Sequence, residues 1–130
     1  CNDVRIKSIG DELWRKSSGN IIEYARKCYE YCGDKNNFQY VAKKQITKMN
    51  SLNDILQFCG GECDDISTMW VNLMRYKYIP ARHLCGKRPL DGSFHVWSEF
   101  YLEGFGWIPV DCTLKLLWAE DYFGSIKLGY

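Results

Sequence analysis

The stretch that decides the fold is Phe94-His95-Val96-Trp97-Ser98-Glu99-Phe100-Tyr101-Leu102-Glu103-Gly104-Phe105-Gly106-Trp107-Ile108-Pro109-Val110-Asp111-Cys112-Thr113. Aromatic and β-branched residues fill its two halves, and Glu103–Gly106 supplies a turn between them. This reads as an antiparallel hairpin of strands Phe94–Leu102 and Trp107–Thr113. Upstream, Ala81–Gly86 reads as a further strand, separated from the hairpin by a turn region at Arg88–Gly92. Pro80 divides that strand from what precedes it, because proline cannot continue a helix. Downstream, the tail from Leu114 carries Asp121-Tyr122-Phe123-Gly124 and a short strand reading at Ser125–Leu128.

Before Pro80 the period changes from two to 3.6. Ile66, Met69, Trp70, Leu73 and Met74 share one helical face, with Asp64 and Asp65 in the first turn and Arg75 in the last, as the helix dipole favours. Asn20 caps a second helix over residues 20–32, with Ile21, Ile22, Ala25, Cys28, Tyr29 and Cys32 on its apolar face and Gly33-Asp34 ending it. Ser51-Leu52-Asn53-Asp54 resembles a capping box that opens a short helix through Phe58, and Gly60-Gly61 stops it. Residues 1–18 read as a short helix or an ordered arm, and residues 34–50 as loop with at most one helical turn. Helices first and an antiparallel meander after them make an α+β domain, with N-terminal helices packed on the sheet.

A length of 130 residues supports one domain, 1–130, since halves would be too short for separate cores. With 46% hydrophobic and 15% aromatic residues the chain can offset its folding entropy, which excludes general disorder. The net charge of +1 gives no basic excess for nucleic acid. Apolar runs are too short for a membrane span. Neither composition nor pattern fixes the oligomeric state or the compartment.

Seven cysteines stand at positions 1, 28, 32, 59, 63, 85 and 112, so at least one thiol is unpaired within the chain. Cys1 leaves open a lipid-anchored, extracytoplasmic form. Cys28-x3-Cys32 and Cys59-x3-Cys63 have a spacing that zinc permits. The apolar helix face under Cys28 and Cys32 argues instead for buried, reduced thiols, and the expectation is no metal and no cofactor.

Cys63 follows Gly-Gly-Glu at a helix start, where free amides favour a thiolate. The glycines there would let a substrate backbone approach. Glu62, Asp64 and Asp65 oppose ionisation, so a nucleophilic Cys63 needs a cationic partner. Taken alone, it reads equally well as a buried cysteine. His95 is the candidate partner, on the same strand face as Trp97, Glu99 and Tyr101. Asp111, in an apolar strand, is costly unless it is satisfied, and an imidazole on the neighbouring strand would satisfy it. His83 has no comparable setting. A depressed Cys63 pKa is expected, with His95 and the helix start outweighing the three carboxylates. Strand parity adds a condition: His95 and Asp111 share a face only if the turn has odd length, most simply three residues, or if a bulge restores parity. Val110 and Cys112, with Phe94 and Val96, would then line the other face.

The blocks Gly61-Glu62-Cys63, Ile79-Pro80-Ala81-Arg82, His95-Val96-Trp97-Ser98-Glu99 and Gly106-Trp107 through Asp111 resemble, in that order, the core motifs of the transglutaminase-like superfamily. The resemblance is strongest over residues 50–125 and extends to Tyr122-Phe123-Gly124. It implies a papain-like core and a triad of Cys63 as nucleophile, His95 as base and acid, and Asp111 as orienting carboxylate. It also implies acyl transfer through a thioester on peptide or amide bonds, of the protease or amidase type, with a protein or peptide substrate. The alternatives are an amine-accepting crosslinker and a non-enzymatic peptide-binding module that keeps the fold. Asp111 is followed by Cys112-Thr113 where relatives often have Pro-Thr. For oxyanion stabilisation Trp14, Tyr24, Tyr29, Tyr31 and Gln57 compete, and the N–H of Cys63 is the better-placed donor.

Overall fold

The computed structural model describes residues 3–40, 51–58, 60–87, 92 and 94–112. The first helix, α1 (Val4–Lys16), settles the arm-or-helix reading in favour of a helix. Asp3 caps it, accepting the Arg5 N–H at 2.8 Å. The Arg5 guanidinium beside it holds the Asp3 carboxyl down at about 2 and also reaches Asn53 at 3.0 Å. Next comes α2 (Ile21–Gly33), where the Asn20 side chain accepts the Glu23 N–H as expected. Then follow a two-residue strand β1 (Gln39–Tyr40), α3 (Leu52–Phe58), a second two-residue strand β2 (Gly60–Gly61) and the long helix α4 (Cys63–Tyr76). Ser51 Oγ accepts the Asp54 N–H at 3.2 Å at the start of α3.

Three strands complete the described chain: β3 (Ala81–Lys87), β4 (Phe94–Leu102) and β5 (Gly106–Val110), antiparallel in the order β3-β4-β5. β4 has the bounds its alternating pattern predicts. β5 is shorter than expected: it ends at Val110, so Asp111 and Cys112 lie just beyond the ladder. The turn region at 88–91, the third strand's end at Thr113, the Tyr122-Phe123-Gly124 segment and the strand reading at 125–128 lie outside the described residues, as do residues 41–50, Cys1 and Cys59.

The core sits on both sides of α4. Ile66, Met69, Trp70, Leu73 and Met74 are all buried. Trp70 packs edge-on against Phe100 of β4 and donates its indole N–H to the carbonyl of Ala25 on α2 at 3.3 Å. Tyr24 donates its hydroxyl to the Leu73 carbonyl at 2.6 Å. Trp70 thus touches the helical layer and the sheet, and α4 packs against α1, α2, α3, β2, β3 and β4.

Cys28 and Cys32 are buried on the inner face of α2, as their spacing predicts, and are not in disulfides. Cys32 lies in side-chain contact with Cys112 from the end of the hairpin. Burial pushes both helical thiols well above the ordinary value. Folding therefore resists their ionisation. Their contribution to stability is complete below about pH 8.5, where unfolded thiols are protonated, and is lost as pH rises above it. The unfolding free energy from urea titrations at pH 7 to 10 should hold level up to about pH 8.5 and fall above it, by up to about 1.4 kcal/mol per pH unit for each buried thiol. Replacing Cys28 by alanine should flatten that fall.

Candidate active site

The approach to Cys63 is built from backbone. Gly60 and Gly61 do not merely stop α3: they pair in parallel with Gln39 and Tyr40. A Cβ at Gly60 would lie within 2.3 Å of the Gln39 carbonyl oxygen, and one at Gly61 within 2.5 Å of the Asp65 side chain. The glycines thus admit the protein's own chain, where the sequence suggested room for a substrate.

Glu62 and Asp65 then form a reciprocal capping box at the start of α4. The Glu62 side chain takes the Asp65 N–H, and the Asp65 carboxylate takes the Glu62 N–H at 3.0 Å. This accounts for two of the helix's orphan amides. The Asp64 N–H is directed to the Cys63 thiol. The N–H of Cys63 has no hydrogen-bond partner among the described residues.

The hairpin supplies the other groups. Leu102 pairs with Gly106, so the turn is the three residues Glu103–Phe105, closed by the Phe105 N–H on the Leu102 carbonyl at 3.0 Å. Gly104 and Gly106 take the left-handed backbone, with φ of 89° and 87°. The odd-length turn meets the parity condition. His95 and Asp111 come to the same face, and His95 Nε2 lies 2.6 Å from Asp111 Oδ2. Val110 and Cys112 are buried on the opposite face, as expected; the Phe94 side chain lies outside the described atoms.

Among the described residues the β5 ladder stops opposite Ser98, so it does not cover the β4 backbone at Val96. The Cys63 thiol accepts the backbone N–H of Val96, the residue after His95. His95 is 7% exposed and Cys63 half-buried; the contacts shown are His95 with Asp111, and the Cys63 thiol with the amide that follows His95.

The electrostatics of Cys63 correct one expectation. Burial pushes its thiol up, and the Asp64 and Glu62 carboxylates add to that, against the pull of the Val96 and Asp64 amides. The balance lies above the ordinary thiol value and not below it. Depth, which the sequence does not carry, outweighs the helix start.

The oxyanion candidates also sort themselves. Tyr24 spends its hydroxyl in the core. Trp14 packs against Tyr24 and Lys77. Tyr29 is buried, Tyr31 stacks edge-on against Phe38, and Gln57 is exposed on α3. No group of three or more His, Cys, Asp or Glu side chains arranged to hold a metal occurs among the described residues.

A long central helix that begins with cysteine, against an antiparallel hairpin carrying a hydrogen-bonded His–Asp pair, defines the class of domain. The chain belongs to the transglutaminase-like superfamily, whose family model matches residues 7–112. Among solved structures it is similar to a Cytophaga hutchinsonii protein named "Putative Cysteine Protease", with TM-score 0.65 and 22% identity over 84% of this chain and 38% of that one. It is also similar to the periplasmic domain of TgpA from Pseudomonas aeruginosa, with TM-score 0.67 and 18% identity over 86% of this chain and 43% of that one. An uncharacterized protein of Haemophilus influenzae is 35% identical over 39% of this chain and 20% of its own length. The chain thus spans less than half the length of each of these proteins. No helix among the described residues is long and apolar enough to cross a membrane.

Proposed function

We propose that the chain is the catalytic core of a cysteine-dependent acyl-transfer enzyme acting on peptide or amide bonds, with Cys63 as nucleophile, His95 as acid and base and Asp111 as the orienting carboxylate. The observation that carries this reading is the His95–Asp111 contact of 2.6 Å on the strand whose next amide reaches the Cys63 thiol. With Nε2–H donated to Asp111, Nδ1 is the basic nitrogen of His95. It takes the Cys63 proton as Sγ attacks the carbonyl carbon. The Cys63 N–H stabilises the developing oxyanion. The C–N bond breaks, the amine leaves with the proton from His95, and a thioester remains. Water, deprotonated by the same nitrogen, then releases the acid.

The raised thiol fits general-base activation at the moment of attack better than a standing thiolate. Protein or peptide substrates follow from the bond type. The test is a panel of peptide amides incubated with the protein, with and without an added primary amine. Release of free acid in both arms supports hydrolysis. Amide exchange in the amine arm supports the crosslinking variant. No turnover in either arm, with Cys63 inert to peptide-based thiol probes, overturns the enzymatic reading in favour of a peptide-binding module.

A further inference from the structure

The ring of His95 is held on its Asp111 side by a hydrogen bond, and the neighbouring strand supplies something on its other side. His95 pairs with Gly86 on β3, and Trp97 pairs with Leu84. Continuing the β4–β5 ladder by one residue sets Asp111 opposite Trp97. Trp97 reaches toward the neighbouring strand β3. Its six-membered ring runs over β3, so that a Cβ on Gly86 would meet Trp97 Cη2 at 3.2 Å and Cζ3 at 3.7 Å. In this seat the indole lies nearly parallel to the His95 imidazole, with 18° between the planes and 6.2 Å between centroids. Gly86 is therefore a notch, and Trp97 fills it.

We propose that Trp97, seated in the Gly86 notch, is a positioning residue that fixes the His95 imidazole between its own ring and the Asp111 carboxylate. The proposal rests on the acyl-transfer reading above. Two physical effects follow from the geometry. The flat indole restricts rotation of the imidazole, so that Nε2 stays on Asp111 and Nδ1 stays aimed toward the cysteine. The indole face also favours the imidazolium that forms when His95 takes the thiol proton.

The experiment measures the rate of Cys63 alkylation by iodoacetamide at pH 7, with thermal unfolding of each variant alongside. Gly86 is in extended backbone, where alanine loses less chain entropy than glycine, so Gly86→Ala should leave the unfolding temperature unchanged or raise it. It should nevertheless slow alkylation about tenfold, because the new methyl displaces the indole. Trp97→Phe has no ring reaching the notch. It should be slowed by a similar factor, and adding Gly86→Ala to it should cost nothing further. A residue with a merely structural role cannot lose reactivity while stability holds.

Alkylation of Gly86→Ala at the wild-type rate overturns the proposal, as does an equal slowing when the change is made in the Trp97→Phe background. His95→Ala is the control for the parent reading. If it alkylates as fast as wild type, the Cys–His pairing itself fails, and that outcome is distinct from a His95-dependent rate that Gly86→Ala leaves untouched.

Discussion

Replacing Asp111 by alanine lowers the neutral-pH reactivity of Cys63, and any amide turnover, by about 100-fold. In the proposed mechanism the 2.6 Å contact to Nε2 selects the tautomer with a basic Nδ1. Without it the ring rotates and populates the tautomer that carries its proton toward the cysteine. Asp111 lies beyond the end of β5, so its side chain bears little of the ladder's stability. Thermal unfolding should therefore move little. Asp111→Asn retains an oxygen that can accept the same N–H, and it should recover most of the rate. A loss in Asp111→Asn as deep as in Asp111→Ala would mean that charge, and not tautomer control, is the carboxylate's contribution.

The second large effect is expected at Gly60. A methyl there meets the Gln39 backbone oxygen at 2.3 Å, and backbone cannot rotate away as a side chain can. Gly60→Ala must part β1 from β2 or distort the turn into α4. A cost of about 3 kcal/mol lowers the unfolding temperature by about 10 °C for a domain of this size. Because Gly61 and the Glu62–Asp65 box follow directly, the position of Cys63 should shift as well. Alkylation should change even in the fraction that remains folded. Calorimetry with parallel labelling checks both, and an unfolding temperature within 2 °C of wild type would contradict the close approach.

What the sequence made legible follows from where its signals are local. The β-forming run of β4 and the 3.6 period of α4 were readable because each repeats residue types at its own period within one element, and Asn20 was readable as a cap because its bond is three residues away. The three-residue turn followed from requiring His95 and Asp111 on one face. The β1–β2 bridge was not legible: Gly60-Gly61 looks like punctuation, and its partner Gln39 is far away in sequence. The Glu62–Asp65 box was missed because glutamate is a rare N-cap and Asp65 already had an explanation in the helix dipole. The sign of the Cys63 shift was missed because neighbours in sequence report charge but not depth. The role of Gly86 was invisible for the same reason as the bridge, since a notch exists only once a neighbouring strand lays a ring across it.

The central claim is that His95 activates a cysteine whose surroundings discourage ionisation. It is tested most directly by the pH dependence of Cys63 alkylation by iodoacetamide in wild type and His95→Ala. Burial and two carboxylates raise the thiol, so without His95 the rate should climb only at alkaline pH. The account predicts that wild type reacts at least about tenfold faster near pH 7 and that the two rates converge as pH rises through the raised thiol value. Equal rates for the two proteins across the whole range would contradict it.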